Sequence, residues 1–195
     1  MASLVQPTSD IRPGSTRVHE LEALRWWRLF VTRHRLFAAL IAATVATHIA
    51  TVTGVWYHGI GLSDLNWPSF NGALLLPTGS ATSQFWVGTV YHYATGIALG
   101  LLYAVALHPL MRWAFKSSTL ANLSKALVFG IVLATISALW WVPALFPSLN
   151  AGFFSSNLGW KVVVGIYLWH LIYGFNLGLL YNPLSPQEVA ESSAA

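Results

Sequence analysis

The chain alternates between polar stretches and four long apolar runs, about Leu36–Tyr57, Phe85–Leu110, Ala121–Leu145 and Trp160–Tyr181. Each reaches the roughly 20 apolar residues an α-helix needs to cross a hydrocarbon core about 30 Å thick. None contains Asp, Glu or Arg, and the lysines in them, Lys125 and Lys161, stand near run ends. Hydrocarbon offers no water to bare backbone amides, so the pattern predicts four transmembrane helices. A cleaved signal peptide is the rival reading of the first run, but the 35 residues before it are long for an n-region.

Ahead of the first run, Thr16–Thr32 reads as a helix with two faces. Glu22, Arg25, Arg28 and Thr32 line one side, and Leu24, Trp27 and Val31 another, at helical spacing. Cationic and aromatic faces together suit a lipid headgroup layer, and equally the surface of a partner subunit. The Pro- and Ser-rich ends, Met1–Ser15 and Pro183–Ala195, have little reason to order alone. The organisation is therefore a tail with an amphipathic interfacial helix (1–35), a four-helix bundle (36–182) and a second tail (183–195).

Composition sharpens this picture. Of 195 residues, 55% are apolar and only 8% charged, against about a quarter charged in an ordinary soluble domain. Mean hydropathy is +0.58, which excludes a disordered chain as well. With no Cys, disulfides, thiolate metal sites and iron–sulfur clusters are excluded.

The net charge of +4 is no nucleic-acid signal, because its placement has a membrane explanation. Arg12, Arg17, Arg25, Arg28, Arg33, Arg35, Arg112, Lys116 and Lys125, nine of the ten basic residues, fall on one side of the predicted spans. The bias of Lys and Arg toward the cytoplasm places both termini there. Trp56, Trp67, Trp86, Trp140, Trp141 and Trp160 form an expected outer aromatic belt, with Trp26, Trp27 and Trp113 as the inner one.

The most specific feature is an internal repeat. Residues 91–103 and 169–181 match without a gap at seven of thirteen positions: His92/His170, Gly96/Gly174, Leu99/Leu177, Gly100/Gly178, Leu101/Leu179, Leu102/Leu180 and Tyr103/Tyr181. Trp56-Tyr57 and Trp140-Trp141 give a fainter echo in the other two runs. The expected fold is all-α, with two parallel-repeat hairpins (about 36–113 and 121–182) related by a pseudo-twofold axis along the membrane normal. At about 100° per residue the matched His, Gly, Gly and Tyr share one stripe of each helix. Gly-x-x-x-Gly stripes let helix backbones approach closely, so tight crossings with bonded His and Tyr side chains are one full explanation of the repeat.

The stripe also resembles that of an uncharacterised class of small four-helix membrane proteins of bacteria and archaea, whose helix reads His-x-x-Tyr-Gly-x-x-x-Gly-x-x-Tyr. His170, Tyr173, Gly174, Gly178 and Tyr181 fit it, while the second helix departs at Thr95, where Tyr is expected. The resemblance covers about a third of the chain. It implies the four-helix fold and a bacterial or archaeal plasma membrane, and it brings no activity with it.

Candidate chemistry rests on histidine, since ionisable groups inside a membrane are rare and functional by default. By helical rise His48, His92 and His170 fall at similar depth in the outer half of the core. Three imidazoles at one depth suit a transition metal such as zinc, copper or iron. His92 and His170 alone suit the axial positions of a haem b, or one chlorin ring each, with Gly96, Gly100, Gly174 and Gly178 leaving room for the flat ring. His58 reads as a solvated interfacial residue, and His108 as facing headgroups at the inner end. No Gly-rich phosphate loop, His-Glu-x-x-His motif or Gly-x-Ser-x-Gly elbow occurs, and no catalytic residue is assigned. The neutral loop Gly59–Gln84, with Trp67, Phe70 and an apolar run, reads as a lid or a contact surface.

Three functions fit. The leading one is a small structural or accessory subunit of a larger membrane complex, without catalysis of its own, bound to lipid and other membrane subunits and not to nucleic acid. The second is a haem or metal redox protein using the histidines. The third is a small transporter or channel.

Overall fold

A computed structural model describes residues 13–111 and 118–194, with side chains for 22–111 and 118–191. Arg12, Arg112, Trp113 and Lys116 lie outside the described residues. All regular structure among the described residues is helical: α1 (Pro13–Arg33), α2 (Arg35–Gly54), α3 (Trp67–Leu75), α4 (Ala81–Leu110), α5 (Thr119–Leu145), α6 (Trp160–Leu180) and α7 (Pro186–Ala194). Four of them, α2, α4, α5 and α6, are long and apolar enough to cross a membrane. An even number of spans puts both termini on one side, here the terminal side; the loops 55–80 and 146–159 lie on the far side.

Local chemistry sets the boundaries. Ser80 caps α4 by accepting from the Ser83 N–H at 3.2 Å, Ser118 caps α5 through Ala121, and Asn66 caps α3 through Ser69 ahead of Pro68 in the first turn. Each such cap is worth about 1 kcal/mol.

The spans are ordered α4, α2, α6, α5 across the bundle, so the first and last spans form its centre. Alanine makes that possible. Ala38, Ala39, Ala42, Ala43, Ala46 and Ala50 of α2 are all fully buried, and small side chains allow close approach where van der Waals contact drives association. The glycines are used the same way within each hairpin. A Cβ on Gly96 or Gly100 would meet Thr47 or Ala43 of α2 at 2.3 Å. One on Gly174 would meet the Ala126 carbonyl oxygen of α5 at 2.5 Å, and one on Gly178 the Ala126 Cβ at 2.8 Å.

Helices α4 and α6 have no close backbone packing; tyrosines span the interval. Tyr173 Oη donates to Gly96 O at 2.8 Å and Tyr181 Oη to Ala104 O at 3.3 Å. Helices α4 and α5 come near each other at His108–Leu110 and diverge toward the far side.

Two spans widen into π-helical turns, Tyr103–Leu107 in α4 and Ser137–Trp141 in α5. Each precedes a proline, Pro109 or Pro143, that lies five residues after Ala104 or Ala138. A π-turn pairs N–H with the carbonyl five residues back, and proline has no N–H, so those two carbonyls lose their partners. Side chains replace them: Tyr181 Oη bonds Ala104 O, and the fully buried Ser155 donates to Ala138 O at 2.8 Å. Holding Ser155 there requires left-handed backbone at Phe154 and Ser155, both at φ 55°.

The two ends of the chain are ordered against each other. Trp27 Nε1 donates to Leu180 O at 2.8 Å, the Leu184 N–H donates to Thr32 Oγ1, and Arg28 grips both Glu188 carboxylate oxygens at 2.6 and 2.9 Å. Ser185 and Glu188 form a reciprocal capping box that starts α7. Of the face expected to meet headgroups or a partner, Val31 is instead fully buried in the bundle and Leu24 is exposed. The stretch from Pro183, expected to be an unordered tail, gains its order from these contacts with α1.

Partial burial raises the Glu188 carboxyl, but the bonds from Arg28 and Ser185 outweigh it and hold the group below the usual carboxylate range. A carboxylate lowered on folding stabilises above its unfolded pKa, and that contribution is lost as pH falls through the folded value. Hydrogen exchange in α7 should therefore accelerate on acidification while the spans stay protected, and Glu188→Gln should remove the pH dependence. Because Glu188 is about one-third exposed, the pair is worth no more than about 1 kcal/mol.

Candidate functional site

The divergence of α4 from α5 leaves a cavity of about 350 Å³ in the far-side half of the bundle. Its walls come from Leu99 of α4 and Val132 and Trp140 of α5, and its floor from Trp169, His170 and Tyr173 of α6. No Lys, Arg, Asp or Glu lines it.

Helix α3 closes the far-side end with Trp67 and Asn71. It can reach that position because two glycines face each other across it. A Cβ on Gly72 would sit 1.7 Å from Gln84 O, and one on Gly88 would sit 1.8 Å from Pro68 O. The loop read from sequence as a lid or contact surface thus carries a short helix packed tightly on α4. Trp67, Trp140 and Trp141, expected in the aromatic belt, line the cavity, and Trp140 is also mostly exposed, as are Trp56, Trp86 and Trp160.

His92 and His170 both reach this cavity and both lie edge-on to Trp169, with ring centroids 5.4 and 4.9 Å away. Their tautomers are opposite. Thr51 gives its only hydroxyl proton to Thr47 O, so the 2.8 Å contact with His92 requires His92 Nε2–H to donate to Thr51. The lone pair of His92 is then on Nδ1, which has no hydrogen-bond partner among the described residues. For His170, Nδ1 lies 2.8 Å from Ile166 O, which can only accept, so Nδ1 carries the proton and Nε2 accepts from Ser137 at 3.1 Å. Both nitrogens of His170 are engaged.

These positions bear on the metal and haem expectations. His48 is exposed and bonds Tyr93 Oη at 2.6 Å, outside the cavity that the other two line. Among the described residues no three His, Cys, Asp or Glu gather as a metal site. A haem or chlorin on His170 would have to displace the Ser137 bond. Nor do Gly96, Gly100, Gly174 and Gly178 leave room for a macrocycle, because neighbouring helices fill the space beside them.

Sequence reasoning missed Asn71. It is 5% exposed, lines the cavity, and its amide has no hydrogen-bond partner among the described residues. The buried polar atoms without a partner at residues lining the cavity are Trp67 Nε1 and Trp169 Nε1, so the unpartnered Asn71 amide, which keeps some accessible surface, stands beside two uncommitted N–H donors.

A second polar cluster lies toward the terminal side. Asn122 Oδ1 accepts from Lys125 Nζ at 3.2 Å and from His108 Nε2 at 3.0 Å, while Asn122 Nδ2 donates to Asn182 Oδ1 at 2.9 Å and Pro183 O at 3.2 Å. His108, expected to face headgroups, is 3% exposed and packs its ring on Tyr103 and Tyr181, because the π-turn and Pro109 rotate it inward. Lys125 is fully buried.

His58 sits outside the spans, exposed, with Nδ1 2.8 Å from Asp64 Oδ2. The His58 backbone N–H, donating to Asp64 Oδ1, is the main cause of an Asp64 carboxyl below its usual range.

Fold and site together define an all-helical, multi-pass membrane protein with an uncharged cavity between its second and third spans. No protein-family model, curated protein or solved structure matches the chain.

Proposed function

We propose that the chain is a small, non-catalytic membrane subunit that holds a lipid-soluble molecule in the cavity between α4 and α5. The observation that carries this reading is a cavity without charged side chains, walled mostly by apolar and aromatic groups, into which the unpartnered Asn71 amide and a few other polar side chains, among them Thr95, Ser137 and the two histidines, are placed. Sites for small apolar ligands have this composition, a hydrophobic enclosure with a few placed polar groups. The bonded histidines fit a positioning role better than redox chemistry.

The test is native mass spectrometry of protein released from its membrane in mild detergent. The expected result is a retained small molecule that is lost when Leu133→Trp fills the cavity. Wild type and Leu133→Trp with identical, ligand-free spectra would refute the reading. The same spectra report accessory partners, for which the exposed far-side Phe153 and Trp160, 80% and 66% accessible, offer contact area.

The placement of basic residues supports a cytoplasmic terminal side. The Cys-free chain makes this simple to check. A cysteine replacing the exposed Ile60 should react with a membrane-impermeant maleimide added outside intact cells, and one replacing Glu191 should not. Matched contacts support the pseudo-twofold reading: each repeat glycine pair faces its own hairpin partner, and His92 and His170 each bond a hydroxyl there, of Thr51 and Ser137. They are compatible with the four-helix class the His170 stripe resembles.

A further inference from the structure

We infer that the ligand is a neutral, lipid-soluble ring alcohol of the phenol or hydroquinone class, bound with its hydroxyl donating to His92 Nδ1. This rests on the cavity reading above and adds the chemistry of the occupant.

Four observations converge on that class. Absence of charged side chains from the lining selects a neutral molecule, since an unpaired ion would be desolvated there. The location of the cavity at the depth of the spans selects one that partitions into lipid. Trp67, Trp140, Trp141, Trp169 and Tyr173 offer aromatic surface on several sides, which suits a flat ring through stacked and edge-on contacts.

The hydrogen-bond inventory then sets the polarity. The Thr47–Thr51–His92 chain has one direction, because it ends on a carbonyl that can only accept. It therefore fixes Nδ1 as an acceptor and requires a donor from the ligand. A ketone, ether or quinone oxygen has no proton to give; a ring hydroxyl has one. Asn71 can donate or accept, and the Nε1–H groups of Trp67 and Trp169 are donors without partners, so a second oxygen on the ring is served without discriminating between hydroxyl and carbonyl. The site should thus favour the reduced, hydroxylated form of an oxygenated ring over the oxidised or alkylated form. Tyr173 cannot supply the missing proton, because its hydroxyl is committed to Gly96 O.

The experiment is isothermal titration of the full chain in detergent with three probes of similar shape: naphthalene, 2-methoxynaphthalene and 2-naphthol. We expect 2-naphthol to bind about tenfold more tightly than 2-methoxynaphthalene, the size of one well-made buried hydrogen bond. His92→Phe should erase that preference while naphthalene still binds. Should His92→Phe fail to fold, ¹⁵N spectra of histidine-labelled wild type give the same answer: 2-naphthol should shift the His92 Nδ1 resonance and leave Nε2 protonated. Equal affinity for 2-naphthol and 2-methoxynaphthalene, or a His92 protonated on Nδ1 in the free protein, would overturn the hydroxyl assignment and leave the cavity reading standing. Binding of none of the three probes would overturn both.

Discussion

Replacing Asn122 by leucine is expected to destabilise the protein by about 1–3 kcal/mol, the cost of removing a buried hydrogen-bonding group from its partners. Leucine keeps the branching and heavy-atom count of asparagine, with two bulkier methyl groups in place of the amide oxygen and nitrogen. What disappears is the one side chain whose oxygen receives both the Lys125 ammonium and the His108 imidazole, and whose amide nitrogen reaches the Asn182 side chain and the Pro183 carbonyl. Those partners come from α4, α5 and the segment after α6, so the loss is shared across the terminal-side end of the bundle. Reversible unfolding in mixed micelles would measure it. The pairing of Asn122→Leu with Lys125→Met should be much less destabilising than Asn122→Leu alone, because an apolar pair leaves no ion to desolvate. A cost below about 1 kcal/mol for Asn122→Leu would mean that Asn122 does not carry the cluster.

The second large effect is expected at Gly88. Even alanine there places a Cβ 1.8 Å from the Pro68 carbonyl oxygen and 2.4 Å from the Gly72 nitrogen, both backbone atoms without a rotamer to yield. Either α3 lifts off α4 or the helix axis shifts. Overpacking of this kind costs about 1–3 kcal/mol, and valine should exceed alanine. Displacing α3 also withdraws Asn71 and Trp67 from the cavity, so Gly88→Val should lose ligand retention out of proportion to its loss of stability. Gly59→Ala, where no atom lies within 4 Å of the added carbon, is the matched control and should behave as wild type.

How much of this could be read from the chain follows from the range of each interaction. The four spans are legible because hydrophobic length is a local property, and an apolar run like Ala121–Leu145 has one economical conformation in lipid. The inward position of His92 and His170 is legible from the stripe they share with glycines. Which helix the glycines face is not, because Gly-x-x-x-Gly specifies closeness without naming a partner. The convergence of three histidines fails for the same reason: equal depth leaves azimuth free, and His48 turns away to Tyr93. His108 lies inside the bundle and not at headgroups because its inward rotation depends on a π-turn, whose only mark in the sequence is a proline two residues beyond it. The Asn122–Asn182 bond joins residues 60 apart and has no local sign. One missed feature did have a signal: Ser185-Pro-Gln-Glu188 is a capping box with proline at the first helical position.

The order of the spans has a consequence for biosynthesis. Each outer span contacts the central span next to it in the chain, so α2 with α4, and later α5 with α6, can pair as soon as both have left the translocon. The seam between the two halves joins the first span to the last, and more than a hundred residues separate them. Until Trp160–Leu180 is inserted, the side of α2 that this last span covers has only lipid against it. A ribosome stalled before that point should therefore expose a half-molecule with a protease-sensitive waist, and release of the final span should close it in a single late step.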